Sequence, residues 1–277
     1  MDYVATASIP AAAGQGRTTV GLRPPLKWAG GKRWQLPHLF SLWEGHRSRR
    51  LVEPFCGGLA VTLGLMPRRA LLNDINPQLV NFYRWLKRGL SVSVPMKNDE
   101  EFYYSHRARF NELLANGGGD SAEAAQLFYY LNRTGYNGLC RFNRSGEFNV
   151  PFGRYVRIGY AEDFSAYRGA FSGWRFTDSD FEELRLTRGD FVYADPPYDV
   201  EFTHYSKDGF SWDDQVRAAE WLAKHKGPVI LSNQATKRIV SLYRKLGFSL
   251  RFLEAPRMIS CTGDRTPAKE VLALKNI

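Results

Sequence analysis

The amino-acid sequence predicts an α/β fold built on a sheet of buried parallel strands. Three short apolar runs, each typical of such a strand, end on an acidic residue at Glu53, Asp74 and Asp195. Residues with helical spacing recur between and after these runs. With 277 residues, 44% of them hydrophobic, the chain can form one large domain or a domain that carries a sizeable insertion.

The composition favours a soluble protein with a polyanionic partner. The net charge is +10 and the pI is near 9.6, which favours nucleic acid first and an anionic membrane second, although a basic surface can also serve solubility alone. Cys56, Cys140 and Cys261 lie far apart, as in a protein of the reducing cytosol. The histidines show no metal-site spacing, no apolar run has the length of a membrane span, and the N-terminus lacks the order of a signal peptide. We therefore expect a cytoplasmic protein without a metal or a membrane anchor.

The chain begins with residues 1–23, which are rich in Ala, Gly and Thr and are predicted to form a flexible extension. Ordered structure is predicted after it, with a helix that follows Gly30 and Gly31. These glycines let the backbone approach a ligand closely, and Lys27 and Lys32 place positive charge on either side of them. The pattern indicates a ligand-binding turn, but a Gly-Gly-Lys sequence alone is weakly diagnostic.

The first two strands indicate a nucleoside pocket. The strand that ends at Glu53 leads into a glycine turn, and Asp74 follows Gly57 by 17 residues, close to the separation at which an acid reaches a ribose in nucleotide-binding α/β folds. The sequence lacks both the G-x-G-x-x-G pattern of a dinucleotide fold and the G-x-x-x-x-G-K-[ST] pattern of a phosphate-binding loop. An acid after the glycines would also repel phosphate. We therefore expect a nucleoside ligand without phosphates, of which S-adenosylmethionine is the common one.

From residue 77 to about residue 151 the alternation lapses, and the apolar spacing predicts helices. The segment Asn132–Tyr155 then interleaves arginines with aromatic residues among asparagines and glycines. Arginines can grip phosphates or read guanine edges, and exposed rings can wedge into a base stack. The alternative is a solvated loop with its rings folded under. Two short basic runs, Ser48–Arg50 and Arg68–Arg69, are typical of a solvated surface.

The stretch Asp190–Tyr198 has the pattern of a buried strand that stops at two prolines. Pro196 and Pro197 cannot donate to a sheet ladder, and they fix a stiff turn after Asp195. The Asp195 carboxylate and a backbone carbonyl can accept the two hydrogens of an exocyclic amine while the Tyr198 ring stacks on its face. The alternative is a proline-rich loop after a core strand.

The last third of the chain returns to alternation. It predicts helices at residues 213–226 and 237–246 and a strand at residues 227–233. Two final strands, at residues 248–253 and 270–274, are predicted to be antiparallel.

Together these residues resemble the Dam-type DNA adenine-N6 methyltransferases (class alpha, D12 class). The motifs K-W-A-G-G-K, E-P-F-C-G-G, N-D-I-N, Y-L-N-R-T-G-Y-N-G-L-C-R-F-N and D-P-P-Y occur in the family's order between Leu26 and about Leu274. The resemblance implies a Rossmann-like S-adenosylmethionine-dependent methyltransferase sheet with an inserted, mostly helical DNA-recognition domain. It implies a catalytic domain of residues 24–80 and 156–277 and a target-recognition domain of residues 81–155.

The resemblance also implies roles for individual residues. The catalytic motif is matched by Asp195, Pro196, Pro197 and Tyr198. The positions that surround S-adenosylmethionine are matched by Trp28, Lys32, Phe55, Gly57, Asp74 and Asp195. The DNA-recognising and base-displacing region is matched by Lys27, Tyr136, Asn137, Arg141, Pro151 and Tyr155.

The implied activity is transfer of a methyl group from S-adenosylmethionine, which leaves S-adenosylhomocysteine, to N6 of an adenine flipped out of double-stranded DNA. No metal is implied. Two alternatives stay open, methylation of a different amine (on RNA or at cytosine N4) and a catalytically silent DNA-binding regulator. The sequence does not specify the DNA sequence recognised, a role in restriction or regulation, or whether the protein is a monomer or a homodimer.

Overall fold

The computed structural model describes residues 22–199, 209–255 and 268–277, so most of the predicted extension, residues 1–21, lies outside the described residues. Seven strands form one sheet in the order β3-β2-β1-β4-β5-β7-β6. The strands are β1 (Arg50–Glu53), β2 (Ala70–Asn73), β3 (Trp174–Thr177), β4 (Asp190–Ala194), β5 (Val229–Gln234), β6 (Ser249–Ala255) and β7 (Ala268–Lys275).

The first five strands are parallel, and β7 is antiparallel to both β5 and β6. The predicted α/β fold and the predicted antiparallel pair at the end of the chain are therefore confirmed. The strand order reverses between β1 and β4, which lie side by side, with Val52 opposite Val192. In open α/β sheets the ligand crevice lies beyond the carboxyl ends of the strands at such a reversal.

Eight α-helices connect the described strands, together with short 3₁₀ turns. The predicted helices of the first and last thirds of the chain are present, whereas β3 and α6 have no counterpart among the predicted elements. The helices are α1 (Leu36–Trp43), α2 (Thr62–Leu65), α3 (Pro77–Arg88), α4 (Glu100–Ala115), α5 (Ala122–Thr134), α6 (Ser165–Ala170), α7 (Trp212–Lys224) and α8 (Lys237–Lys245).

The core lies on both faces of the sheet, because successive side chains of a strand point to opposite faces. On one face Leu51 and Leu72 pack with α1, α3 and α5. On the other face Val52 and Leu71 pack with α7 and α8. A sheet covered on both faces holds its strand ends rigidly, and these ends carry the acids singled out in the sequence.

The insertion lies between β2 and β3. Helices α4 and α5 pack against each other, and α3 contacts both α5 and β3. Lys87 at the end of α3 donates a hydrogen bond to the carbonyl of Trp174, 2.6 Å away, so this helix is attached to the sheet. The implied domain boundary at residue 81 falls within α3.

Candidate active site

A cavity of about 770 Å³ opens at the carboxyl edge of the sheet, where the strand order reverses. Its volume lies within the range of sites for small molecules and cofactors. Glu53, Asp74 and Asp195, which follow different strands, all line it. The structure also brings the implied cofactor residues and the implied catalytic motif around this one cavity; the set is Trp28, Lys32, Phe55, Gly57, Asp74, Asp195, Pro196, Pro197 and Tyr198.

The turn after β1 has a backbone shape that glycine permits. Gly57 has φ +43°, and a Cβ there would lie 2.7 Å from Nε1 of Trp28. Its amide donates to Asp74 Oδ2 at 3.0 Å, and its carbonyl accepts from the Tyr83 hydroxyl at 2.7 Å. The other Asp74 oxygen accepts from the backbone N–H of Asn76. The turn, the indole and the Asp74 carboxylate therefore form one fixed wall of the cavity.

Burial raises the pKa of Asp74, and the hydrogen bonds from Asn76 and Gly57 oppose that rise. A carboxylate that holds two backbone N–H groups still has free lone pairs. Asp74 can therefore accept further hydrogen bonds, such as those of ribose hydroxyls.

Asp195 carries an unmatched acceptor. Its Oδ1 is buried and has no hydrogen-bond partner among the described residues. The nearest cation is Lys32, whose Nζ lies 3.9 Å from that oxygen, beyond hydrogen-bond distance. Burial raises the pKa of Asp195 to about 7, although the Lys32 ammonium opposes the rise. A donor that entered the cavity would satisfy this oxygen and stabilise the carboxylate form.

Tyr198 is held at both its hydroxyl and its ring. The hydroxyl donates to Oε2 of Glu270 at 2.7 Å and lies 3.0 Å from the Ser232 hydroxyl. The ammonium of Lys32 lies 4.1 Å from the ring centroid, a cation–π distance. Burial raises the pKa of Tyr198 far above its usual value, so the phenol stays protonated.

Sequence reasoning missed the group that holds Tyr198. Glu270 in β7 also accepts from the Gln35 amide at 2.8 Å and faces Lys32 at 3.5 Å. Gln35 in turn donates to Ser232 and accepts from the Tyr193 hydroxyl. This buried polar network ties the segment before α1 to β4, β5 and β7. The available signal was the acid itself, since Glu270 begins the predicted strand at residues 270–274, which is otherwise apolar.

Glu53 was recognised as an acid at a strand end but was not among the implied site residues. It is fully buried, lines the cavity and accepts a hydrogen bond from the Thr62 hydroxyl. Burial raises its pKa to about 8. Glu53 is therefore mostly protonated at neutral pH, which keeps its charge out of the buried site.

The cavity has a further aromatic wall that the sequence did not indicate. Phe55 lies 5.3 Å from Phe181 and 5.5 Å from Phe210, measured between ring centroids. The Arg217 guanidinium lies 4.5 Å from the Phe181 ring and also pairs with Asp180. Flat rings and a carboxylate suit a nucleoside base and its sugar.

Of the residues implied to contact DNA, Lys27 adjoins the cavity, because it directly precedes Trp28 in the cavity wall. The Lys27 ammonium lies 3.6 Å from the Tyr155 ring centroid and donates to the carbonyl of Arg133 at 3.0 Å. Burial lowers the pKa of Lys27. The carbonyl of Pro151 accepts from the backbone N–H of Tyr136, so these side chains share one surface.

The remaining two lie on the same segment. Asn137 has φ +51°, a left-handed conformation that turns the chain after the exposed Tyr136. Arg141 donates to the Asn149 side chain at 2.7 Å across a hairpin in which Phe142 pairs with Phe148. Phe148 is buried and Tyr136 is 51% exposed. The segment is thus partly a loop with its rings folded under, as the alternative interpretation of the sequence predicts, and partly an exposed aromatic surface.

The part of the chain that the structure describes contains no group of three or more His, Cys, Asp or Glu side chains that could hold a metal ion. None of the helices in the described ranges is long and apolar enough to cross a membrane.

The sheet order, in which β7 alone is antiparallel, and the acid-lined crevice at its reversal define an open, Rossmann-like α/β fold with a candidate small-molecule site. The chain belongs to the D12 class of N6 adenine-specific DNA methyltransferases, whose family model matches residues 28–259.

The relatives agree with this family. The chain is 36% identical over 263 residues to the retron Ec67 DNA adenine methylase of Escherichia coli, an alignment that covers 90% of each chain. It is 37% identical over 275 residues to a DNA adenine methylase of Vibrio cholerae serotype O1, which covers 90% of this chain and 94% of that one. The type II methyltransferase M1.LlaDCHI of Lactococcus lactis subsp. cremoris is 35% identical over 262 residues, with 87% and 90% covered.

Proposed function

We propose that this protein transfers a methyl group from S-adenosylmethionine to N6 of an adenine that is flipped out of double-stranded DNA. The observation that carries the proposal is the buried Oδ1 of Asp195 beside Tyr198, which has no hydrogen-bond partner in the part of the chain that the structure describes. An acceptor oriented in advance is suited to an exocyclic amine, because the amine brings the donors that this site lacks.

The residues of the cavity fit the cofactor. We assign the nucleoside part of the cofactor to Asp74, the Gly57 turn and the rings of Phe55 and Trp28. This part of the cofactor carries no phosphate, so it needs no cationic binding site. The cofactor supplies an electrophilic methyl group on a sulfonium. The rest of the reaction depends on how the protein holds the amine.

Asp195 is assigned the central role in holding the amine. Its carboxylate and the Pro196 carbonyl accept the two N6 hydrogens, which shifts N6 toward sp³ and directs its lone pair toward the methyl group. The Pro197 carbonyl already accepts a hydrogen bond from Gln215 at 2.6 Å, which keeps the turn rigid. Catalysis then comes mainly from orientation and from preorganised acceptors, without a covalent intermediate.

Tyr198 stacks on the extruded base. Its hydroxyl is fixed by Glu270 and Ser232, so the ring is positioned before the base arrives. Extrusion from the duplex costs a few kcal/mol, which contacts with the rest of the DNA must offset. We assign those contacts to Lys27, Tyr136, Asn137, Arg141, Pro151 and Tyr155.

The enzyme is proposed to act in the cytoplasm on chromosomal or plasmid DNA. The free thiols of Cys56 and Cys140 agree with a reducing compartment.

The test is methyl transfer from labelled S-adenosylmethionine to unmethylated plasmid DNA, followed by modification-sensitive sequencing. We expect N6-methyladenine at one recurring motif, which also identifies the sequence recognised. Label at cytosine N4, or on RNA but not on DNA, would establish the other amine substrate instead. Cofactor binding by calorimetry without any label transfer would favour the silent regulator.

A further inference from the structure

A second charged surface lies at the opposite edge of the sheet from the cavity. The parallel strands begin there, and basic segments precede four of them: residues 47–50 before β1, 68–69 before β2, 185–188 before β4 and 224–226 before β5. The segments are far apart in sequence, and the strand order places them side by side.

Backbone contacts fix these segments against one another. The Arg49 guanidinium donates to the carbonyl of Arg188 at 3.0 Å, and Arg69 donates to the carbonyl of Ser48 at 3.2 Å. The backbone N–H of Leu51 donates to the Arg69 carbonyl at 3.0 Å. Position 227 adjoins the Arg188 carbonyl, since a Cβ added to Gly227 would lie 2.8 Å from it.

The charge of this edge is largely uncompensated. Two of its arginines are neutralised, Arg50 by the buried Asp190 at 2.7 Å and Arg47 by Glu44 at 3.8 Å. The other cations form no ion pair with any described residue, and most are exposed. We call these seven the basic face: Arg49, Arg68, Arg69, Arg185, Arg188, Lys224 and Lys226.

Packing does not explain why these cations lie together on one surface. The side chains of Arg68, Arg185 and Arg188 are exposed and make no hydrogen bond within the described residues. Gathering like charges on one surface costs free energy through repulsion, which a bound polyanion reverses. The basic runs around Arg49 and Arg68 are each typical of a solvated surface when taken singly, but the fold joins them into one surface.

We infer that the basic face binds the phosphate backbone of a second segment of duplex DNA, without reading its sequence. The identity of the polymer rests on the proposed function, because the substrate of the cavity is itself a long DNA. Guanidinium groups are well suited to phosphate oxygens. Residues that read bases lie on the other side of the molecule in the proposed function.

This second contact requires a long DNA. The persistence length of duplex DNA is about 150 base pairs, so a duplex of about 20 base pairs held at the cavity cannot bend round to the opposite edge. A long molecule can return to the same protein with another segment. The basic face would then hold the enzyme on its substrate between successive methyl transfers.

The test compares the wild type with the triple variant Arg68→Gln, Arg185→Gln, Arg188→Gln. Binding to a linear duplex several times longer than the persistence length of about 150 base pairs is measured without cofactor at several salt concentrations. Each lost phosphate contact lowers the slope of log K against log salt by about 0.9, so we expect a slope shallower by up to about 3. This binding measurement tests the inference even if the protein transfers no methyl group.

The second measurement is methyl transfer. On a duplex of about 20 base pairs with one site, the triple variant should match the wild type within about two-fold, because phosphate contacts at the cavity are unchanged. On a long DNA with many sites, we expect at least about five-fold fewer transfers per binding event, because the second contact is lost. The matched control, Arg68→Lys, Arg185→Lys, Arg188→Lys, keeps the charge and should retain most of both properties.

Several outcomes would overturn the inference. They are an unchanged salt slope, an equal loss on the short and long DNA, and an equal defect in the lysine variant. A defect with a single-stranded RNA of the same length but not with duplex DNA would assign the face to RNA instead. Should the triple variant not fold, the single variants Arg68→Gln and Arg188→Gln each predict about one third of the change in slope.

Discussion

At the scale of single residues, the site depends on a buried carboxylate, Asp195, whose Oδ1 has no hydrogen-bond partner among the described residues. Burial, Lys32 and Glu270 set the charge of Asp195, while Tyr198 is fixed by the same two neighbours. A small set of side chains therefore controls both the acceptor and the stacking ring.

Asp195→Asn should remove methyl transfer but not DNA binding. In this variant an NH₂ group replaces one acceptor oxygen of the carboxylate and faces the donor hydrogens of the amine. We therefore expect turnover to fall about 100-fold or more. DNA affinity should stay within about two-fold, since phosphate contacts carry most of it. Turnover and filter-binding assays check this. Asp213→Asn, an exposed acid in α7, is the control, and a parallel loss of binding and turnover in Asp195→Asn would contradict the assigned role.

Lys32→Gln should move the pH dependence of catalysis. The carboxyl of Asp195 must be ionised to accept from the amine, so kcat/KM of the wild type should rise with pH through about 7. The Lys32 ammonium lowers the pKa of Asp195, and its removal should shift this rise to higher pH. The exposed Arg33→Gln is the control. A profile that stays in place in Lys32→Gln would show that another group limits the reaction.

The sequence allowed part of the site to be predicted, and the reason lies at this scale. Asp74 and Asp195 follow apolar runs that are recognisable on their own, and parallel strands place their ends at one edge. Glu270 was missed because its position depends on β7 inserting between β5 and β6, which no local pattern shows. Its contact with Lys32 joins residues 238 positions apart.

At the scale of elements, the sequence did not predict strand β3, and part of the cavity lining follows this strand. Strand β3 has only four residues and lies at the edge of the sheet, with Arg175 exposed between buried Trp174 and Phe176. So short an alternation does not stand out from a loop. Asp180, three residues beyond this strand, lines the cavity, whereas the acid that directly follows the strand, Asp178, pairs with Arg84.

One buried side chain of the insertion, Asn132, contacts the backbone of the residue next to the cavity wall. The buried Asn132 at the end of α5 accepts from the backbone N–H of Lys27 and donates to its carbonyl, both at 2.8 Å. Asn111 in α4 holds Phe148 in the same way, but entirely within the insertion. The two asparagines form equivalent clamps, and only the first adjoins Trp28 in the cavity wall.

Asn132→Ala should therefore weaken cofactor binding, while Asn111→Ala should not. Each variant leaves buried backbone groups unpaired and should lower the free energy of unfolding by about 1–3 kcal/mol. Only Asn132→Ala should also raise the calorimetric Kd for S-adenosylmethionine, by about ten-fold if 1.4 kcal/mol is lost at Trp28. Equal cofactor affinity in the two variants would show that the insertion and the cavity are not coupled through this clamp.

At the scale of the whole molecule, the fold was largely predictable because the alternation of strands and helices follows from local patterns. The insertion appeared in the sequence as a lapse of that alternation, and the structure has α4 and α5 there. What could not be predicted is which distant segments meet. The convergence of Arg49, Arg69 and Arg188 at one edge is an example, because it depends on the strand order alone.

Burial of the cavity acids also affects the stability of the whole protein. A carboxyl whose pKa is higher in the folded than in the unfolded state binds a proton more readily when folded. Stability is then lost as pH rises from the unfolded pKa to the folded one. For Glu53 this window runs from 4.5 to about 8, and for Asp195 from 3.8 to about 7. Both cavity acids therefore lower the stability of the ligand-free protein at mildly alkaline pH.

Glu53→Gln should remove one of these contributions. The amide cannot ionise, and its oxygen can still accept from the Thr62 hydroxyl. We expect urea unfolding at pH 8.5 to show the variant more stable than the wild type by a few kcal/mol at most, since each tenfold change in an acid constant is worth about 1.4 kcal/mol. The difference should shrink as the pH falls well below 4.5, where Glu53 is protonated in both states. The contributions of all other titrating groups cancel when the variant is compared with the wild type. A stability difference that does not change with pH would therefore show that Glu53 keeps an ordinary pKa in the folded protein.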